Sequence, residues 1–178
     1  MEFTNLEKDK IKVVISDFDG VFTDCTGIVD VNGNVSKKIN FKDVLAVALL
    51  LHFGVKVVII TGEHAGAVDY LKCKFPKIDV FQDIKNKLPV VKEYLSSQGL
   101  SRDNVLYIGD DVNDAESMMF SAVKVTVPNA NRYIKEIKGV IVSESYGGQG
   151  VLREVTDALI GDKIKSTFCS GEINEQVL

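Results

Sequence analysis

"VVISDFDGVFTDCTG", residues 13–27, sets an apolar run directly before two carboxylates spaced two positions apart. A continuous Val/Ile run reads as a strand buried on both faces, as in a parallel sheet, because a half-wet strand would alternate. Asp17 and Asp19 then fall at the carboxyl end of that strand. Two carboxylates held close repel each other and shift a pKa upward unless a positive charge lies between them. The stretch implies a buried strand and a cation at its tip.

The pattern recurs. Residues 11–16, 56–60, 78–81, 104–111, 124–127 and 140–142 are strand-like, and residues 43–53, 64–75, 88–98, 115–122, 131–138 and 151–160 are helix-like. This alternation predicts an α/β fold, a Rossmann-like three-layer α/β/α arrangement around a mainly parallel sheet, with sites at the carboxyl ends of the strands. Residues 27–40, "GIVDVNGNVSKKIN", break the rhythm. Asn32-Gly33 between two β-prone arms predicts a projecting β-hairpin closed by a tight primed turn. No linker or repeat divides the chain, so residues 1–162 read as one domain and residues 163–178 as a loose C-terminal arm.

Net charge is −4 and no basic stripe is present, which argues against a nucleic-acid partner. The longest near-continuous apolar stretch, residues 44–51, is far too short to span a membrane, and the polar N-terminus resembles neither a signal peptide nor an anchor. Three scattered cysteines, without C-x-x-C or zinc spacing, fit reduced thiols in a cytoplasm.

Other strand ends also carry polar groups. "IITGE" supplies Thr61 and Gly62, "IGDDVND" supplies Asp110, Asp111 and Asp114, and Lys87 opens the third helix. In a parallel sheet these groups converge on one edge. Their types suit phosphoryl transfer. A carboxylate can attack phosphorus, and a second can protonate the leaving oxygen and then activate water. Mg²⁺ takes oxygen ligands from a few carboxylates, and a lysine and a hydroxyl neutralise the phosphoryl oxygens. Some residues read two ways. Asp114 is equally a helix N-cap, and Gly147-Gly148-x-Gly150 is either a connector or an anion cradle at a helix start. Lys37, Lys38 and Lys42 are either solvated or placed to meet an anionic substrate. His52 and His64 read as structural or surface residues.

The motifs resemble those of the haloacid dehalogenase-like phosphatases. "DFDGVFTD" is similar to their nucleophile loop, "IITGE" to their threonine motif, Lys87 to their lysine, and "GDDVND" to their acidic metal motif. Only 41 residues separate Asp19 from Thr61 and 25 separate Thr61 from Lys87, so neither gap holds a cap domain. "INFKD" and "YGGQGVLREV" extend the likeness to the capless branch that acts on 3-deoxy-D-manno-octulosonate 8-phosphate or nonulosonate (sialic-acid-type) 9-phosphates. The resemblance implies Asp17 as nucleophile and metal ligand and Asp19 as general acid/base with its backbone carbonyl on the metal. It implies Asp110 as the third ligand, with Asp111 and Asp114 supporting the metal from outside its direct ligands. Thr61, Gly62 and Lys87 would hold the phosphoryl group, and Mg²⁺ would be the cofactor.

Val44, Phe18 and Phe22 depart from the usual pattern. Glu63 stands where octulosonate enzymes tend to have Arg, so Glu63 with Lys74, and also Lys42, become candidates for contacting the sugar acid. The resemblance further implies a homo-oligomer, a tetramer in which hairpins pair. The helix "DVLAVALLLHF", apolar nearly all round, agrees with a covered surface. A phospho-accepting receiver domain uses similar residue types, but with its acceptor Asp mid-chain and its Lys last. A non-catalytic oligomerisation domain would lack the nucleophile or the metal Asp. The order and completeness of the motifs count against both.

Overall fold

A computed structural model of the chain describes residues 8–170. Strand β1 (Val13–Ser16) leads into a hairpin of β2 (Ile28–Val29) and β3 (Val35–Ser36). Then follow α1 (Phe41–His52), β4 (Lys56–Ile60), α2 (Gly66–Lys74), β5 (Asp79–Phe81), α3 (Lys87–Ser97), β6 (Val105–Ile108), α4 (Ala115–Phe120), β7 (Val123–Thr126), α5 (Arg132–Lys135), β8 (Val140–Val142) and α6 (Val151–Ser170).

Six strands form one sheet in the order β5-β4-β1-β6-β7-β8, and every pairing is parallel. All four residues of β1 are buried, as expected of a central strand covered on both faces. From β1 the chain steps outward through β4 to β5, then returns to the other side of β1 for β6, β7 and β8. Right-handed crossovers therefore place α1 and α2 on one face and α3 and α4 on the other. α6 packs back onto α1. Three layers result, with no cap among the described residues.

Three expectations are corrected. The hairpin turn is not a two-residue primed turn. Gly33 donates to the Asp30 carbonyl at 3.0 Å and Asp30 pairs with the Asn34 carbonyl, which leaves a three-residue loop. Gly33 alone has positive φ (83°), so this is a type I turn followed by a left-handed glycine. The Asp30 carboxylate decides it by accepting from the Asn32 and Asn34 backbone N–H groups.

Second, α6 does not stop at Ile160 but runs to Ser170, so residues 163–170 are helical rather than a loose arm. One glycine inside a helix costs only about 1 kcal/mol, and buried Ile164 beyond it offsets that. Residues 171–178 of the expected arm lie outside the described residues. Third, the near all-round apolarity of α1 does not by itself signal an exposed face, because α1 packs against both the sheet and α6. Within the described residues, no helix is long and apolar enough to cross a membrane.

Candidate active site

β1 lies where the strand order reverses, so the crevice for a ligand opens at its carboxyl end. Asp17 extends the ladder by one bond, its N–H donating to the Ile108 carbonyl at 2.9 Å. The chain then turns: the N–H groups of Phe22 and Thr23 donate back to the Phe18 carbonyl. Phe18 and Phe22, both fully buried, stack at 5.6 Å and anchor the loop in the core. That is the physical use of the two residues that depart from the family pattern. Gly20 takes φ +80°, and a Cβ there would collide with the Asp110 carboxylate. The glycine lets the first and fourth motifs touch.

Four charged side chains meet in this crevice. Lys87, buried at the start of α3, places Nζ 2.7 Å from Asp17 Oδ2 and 2.8 Å from Asp114 Oδ1. Tyr107 of β6 donates its hydroxyl to the same Asp114 oxygen at 2.8 Å. The other Asp114 oxygen accepts from the backbone N–H groups of Asp110 and Asp111 at 3.2 and 3.4 Å. Asp114 makes no side-chain cap to α4, so of its two readings the structure selects the one at the site. It orients Lys87 and shapes the Asp110 loop.

One ammonium is insufficient for this cluster. Oxygens of Asp17, Asp110 and Asp114 lie within 4.8 Å of one another. Burial, then the charge of Asp114, pushes Asp17 up to about 8 against the opposing pull of Lys87. Burial, then Asp114 and Asp111, pushes Asp110 up to about 7. Lys87 is raised in turn: burial disfavours its charge, but Asp114 and Asp17 outweigh it. A hard cation with oxygen ligands relieves this repulsion, so the donor set fits Mg²⁺. Asp114 accepts four hydrogen bonds, from Lys87, Tyr107 and the Asp110 and Asp111 N–H groups. Among the described residues the Asp17 carboxylate accepts only from Lys87 and the Phe18 N–H, and that of Asp110 only from the Cys25 thiol, so Asp17 and Asp110 are the less encumbered ligands.

Asp19 stands at the mouth. Its Oδ1 accepts from the Thr23 hydroxyl at 3.1 Å, and its Oδ2 lies 2.6 Å from Lys37 Nζ on the hairpin. Thr61 is buried at the tip of β4, and its hydroxyl accepts weakly from the Glu63 N–H. Gly62 follows it, its carbonyl accepting from Lys85 Nζ at 2.6 Å. Asp111 caps the short turn after β6, accepting from Val112 N–H and from the Asn131 amide.

Glu63 is exposed and pairs with Lys85 at 2.8 Å, not with Lys74. Lys74 ends α2, which runs antiparallel to the strands, so it sits toward the opposite edge of the sheet with its ammonium over the Phe75 ring. Of the two residues expected to contact the sugar acid, Glu63 thus lies at the site edge and Lys74 toward the other end of the sheet within one chain. Lys42 is separate from the carboxylate cluster and lines a groove of about 400 Å³ with Gly150, Arg153 and Asp157. Of the histidines, His52 packs edge-on against Phe53, and His64 faces Asp69 at 3.8 Å.

Four contributors were not assigned from sequence. Lys37 was only one of three candidate lysines. Tyr107 is unremarkable within an apolar strand. Asp43, buried in α1, accepts from the Arg153 N–H at 3.0 Å and so caps the start of α6 from another helix. Its place in "INFKD" was the one available signal. The fourth is the Gly147-Gly148 loop, which is neither a loose connector nor an anion cradle. Gly148 donates to the Val21 carbonyl at 2.9 Å, and a Cβ on Gly147 would strike the Gly20 carbonyl. This loop braces the nucleophile turn from behind. Gly147→Ala is therefore expected to displace that turn, costing about 1–3 kcal/mol or more and lowering activity. Thermal melts beside steady-state rates check it, and an unchanged melting temperature would show that the loops do not press together.

The comparisons with known proteins agree with this geometry. A family model for haloacid dehalogenase-like hydrolases matches residues 59–155. The chain is 30% identical over 152 residues to the 3-deoxy-D-manno-octulosonate 8-phosphate phosphatase of Salmonella typhi, covering 85% of this chain and 80% of that one. It is 26% identical over 162 residues to the same phosphatase of Haemophilus influenzae, covering 89% and 88%. Among solved structures, the 3-deoxy-D-manno-octulosonate 8-phosphate phosphatase of Moraxella catarrhalis, in complex with a magnesium ion, a phosphate ion and KDO, matches with a TM-score of 0.85 at 25% identity. That match covers 90% of this chain and 95% of the other. With its motifs assembled at one sheet edge and these relatives covering most of its length, the chain belongs to the haloacid dehalogenase-like hydrolases and is a phosphatase of that family.

Proposed function

We propose that the protein is a Mg²⁺-dependent phosphatase that hydrolyses the phosphomonoester of a 2-keto-3-deoxy sugar acid. The substrate is 3-deoxy-D-manno-octulosonate 8-phosphate or a nine-carbon nonulosonate 9-phosphate. The observation that carries the chemistry is the buried Asp17–Lys87–Asp114 array beside Asp110, short of positive charge at the tip of β1. The curated relatives support the substrate class.

Asp17 attacks phosphorus, forming the acyl phosphate as the P–O bond to the sugar breaks. Asp19 gives its proton to the departing sugar oxygen. Asp19 then takes a proton from water, whose oxygen attacks the same phosphorus, and breaking of the Asp17–phosphorus bond releases phosphate. Lys87 neutralises a phosphoryl oxygen, and Thr61 with Gly62 orients another. Asp17, Asp110 and the Asp19 backbone carbonyl would hold Mg²⁺, which supplies the positive charge that lets a dianionic ester approach.

A cleft of about 480 Å³ between β3 and the start of α2, lined by Lys37 and His64, has room for the rest of the substrate. A screen comparing kcat/KM for the eight-carbon 8-phosphate, the nine-carbon 9-phosphates and hexose phosphates tests the substrate class. Preference for a hexose phosphate would overturn it. Glu63→Gln is expected to lower kcat/KM for the preferred sugar acid at least about tenfold more than for an aryl phosphate, because a hydroxyl-binding carboxylate contributes only when its partner is present. Equal falls would make Glu63 structural.

The assembly belongs to the same reading: a cytoplasmic homotetramer. Ile28, Val29, Val31 and Val35 on the hairpin, and Phe41 beside it, are exposed apolar residues on an element too small to be stable alone. Light scattering at micromolar concentration is expected to give four chains, and a mass near one chain would refute the tetramer. The receiver reading has lost its support, since the chain carries a phosphatase family's motifs in that family's order. The non-catalytic reading fares no better, since no member of the Asp17, Lys87, Asp110 and Asp114 set is missing.

A further inference from the structure

One contact at the site has no part in the chemistry outlined above. Lys37 follows β3, 18 residues beyond Asp19, and its Nζ lies 2.6 Å from Asp19 Oδ2. The two side chains are only 17% and 24% exposed. The other carboxylate oxygen is taken by the Thr23 hydroxyl at 3.1 Å, and Thr23 Oγ1 itself accepts from the Gly20 and Cys25 backbone N–H groups. Asp19 is therefore gripped twice, once from within its own loop and once from the hairpin.

The grip also bears on the hairpin. Among the described residues β2 and β3 form strand pairs only with each other, and both are exposed. A two-stranded hairpin is marginal in water and needs outside contacts to keep its place. Lys37 is such a contact, and it ends on the carboxylate that must face the leaving oxygen.

We propose that Lys37 is a positioning residue, through which the hairpin holds the Asp19 carboxylate at the angle from which it serves the leaving oxygen. Without the ammonium, Asp19 keeps only the Thr23 hydroxyl and rotates among several side-chain wells. Proton transfer requires hydrogen-bond reach, so it suffers when that carboxylate is loose. A poor leaving group depends on this proton far more than a good one does. The placement of the hairpin, and with it any packing of hairpin on hairpin, then bears directly on the first chemical step. The inference rests on the phosphatase reading and on Asp19 as its acid.

The test compares Lys37→Met, Lys37→Gln and Lys37→Arg with the wild type in saturating Mg²⁺. The probes are glucose 6-phosphate, with its poor alkoxide leaving group, and 4-nitrophenyl phosphate, whose phenolate needs little protonation. The ratio kcat/KM covers the steps up to cleavage of the ester bond. Because Lys37 also lines the cleft beside α2, Lys37→Met and Lys37→Gln are expected to lower kcat/KM for glucose 6-phosphate at least about tenfold through kcat, with KM shifted less than about threefold, and to lower kcat/KM for 4-nitrophenyl phosphate less than about threefold. Lys37→Arg, which retains a cation at similar reach, is expected to recover most of the loss. Melting temperatures of each variant separate this from misfolding, and two neutral replacements guard against one failing to fold. Equal losses on both esters, no loss, or no recovery with arginine overturn the proposal while leaving the phosphatase reading in place. A wild-type protein inert toward every phosphate ester tested would instead overturn that reading and the role of Lys37 with it.

Discussion

Asp17→Asn is expected to abolish turnover, by at least about a thousandfold, in a protein that remains folded. The amide oxygen can still accept the Phe18 N–H that Asp17 Oδ1 accepts at 2.7 Å, so the turn keeps its shape. The substitution removes one of the clustered negative charges and leaves Lys87 paired with Asp114 at 2.8 Å, so the fold is not left with an unpaired buried ammonium. What is lost is the chemistry, because an amide cannot form the acyl phosphate. Phosphate release and a thermal melt on the same preparation check both halves. Retention of a tenth of the wild-type rate would exclude Asp17 as nucleophile.

Removing divalent metal is the second large effect, and it is expected to show in stability as well as in rate. Burial raises Asp17 to about 8, Asp110 to about 7 and Asp43 to about 6, each from the ordinary aspartate value of 3.8. A carboxylate raised in the fold favours its neutral form there. The stability it contributes is full below the unfolded value and is lost as pH climbs through the folded one. The metal-free protein is therefore most stable below about pH 4 as far as these three groups are concerned, and it loses stability progressively from there up to about pH 8.

Bound Mg²⁺ favours the ionised carboxylates and reverses the trend for Asp17 and Asp110, but not for Asp43, which caps the start of α6 from α1. Melting temperatures in a chelator at pH 5 and pH 8.5, with and without restored Mg²⁺, measure this. A metal-free protein that melts higher at pH 8.5, or full activity after exhaustive chelation, would refute the cation site.

The sequence by itself determined the layers and the chemistry. Unbroken Val/Ile runs such as 13–15 and 57–60 have no wet face, so they must be central parallel strands, and parallel strands put their following residues on one edge. The convergence of Asp17, Thr61, Lys87 and Asp110 on one edge of the sheet was therefore legible before any coordinates, since only strand direction was needed for it. Tertiary structure alone decided what depends on distance between elements remote in sequence. Glu63 pairs with Lys85 and not with Lys74, because an antiparallel helix carries Lys74 away from the edge where Glu63 sits. Asp114 is a partner of Lys87 rather than the N-cap of α4, because Tyr107 and Lys87 converge on it from β6 and α3. α1 is apolar on every side because α6, which continues past Gly161, covers what the sheet does not. The Gly147 loop and Lys37 grip the nucleophile turn from about 130 and 20 residues away, by contacts of a backbone and an ammonium. A local pattern records which face of an element is dry, and only the packed chain records which partner makes it so.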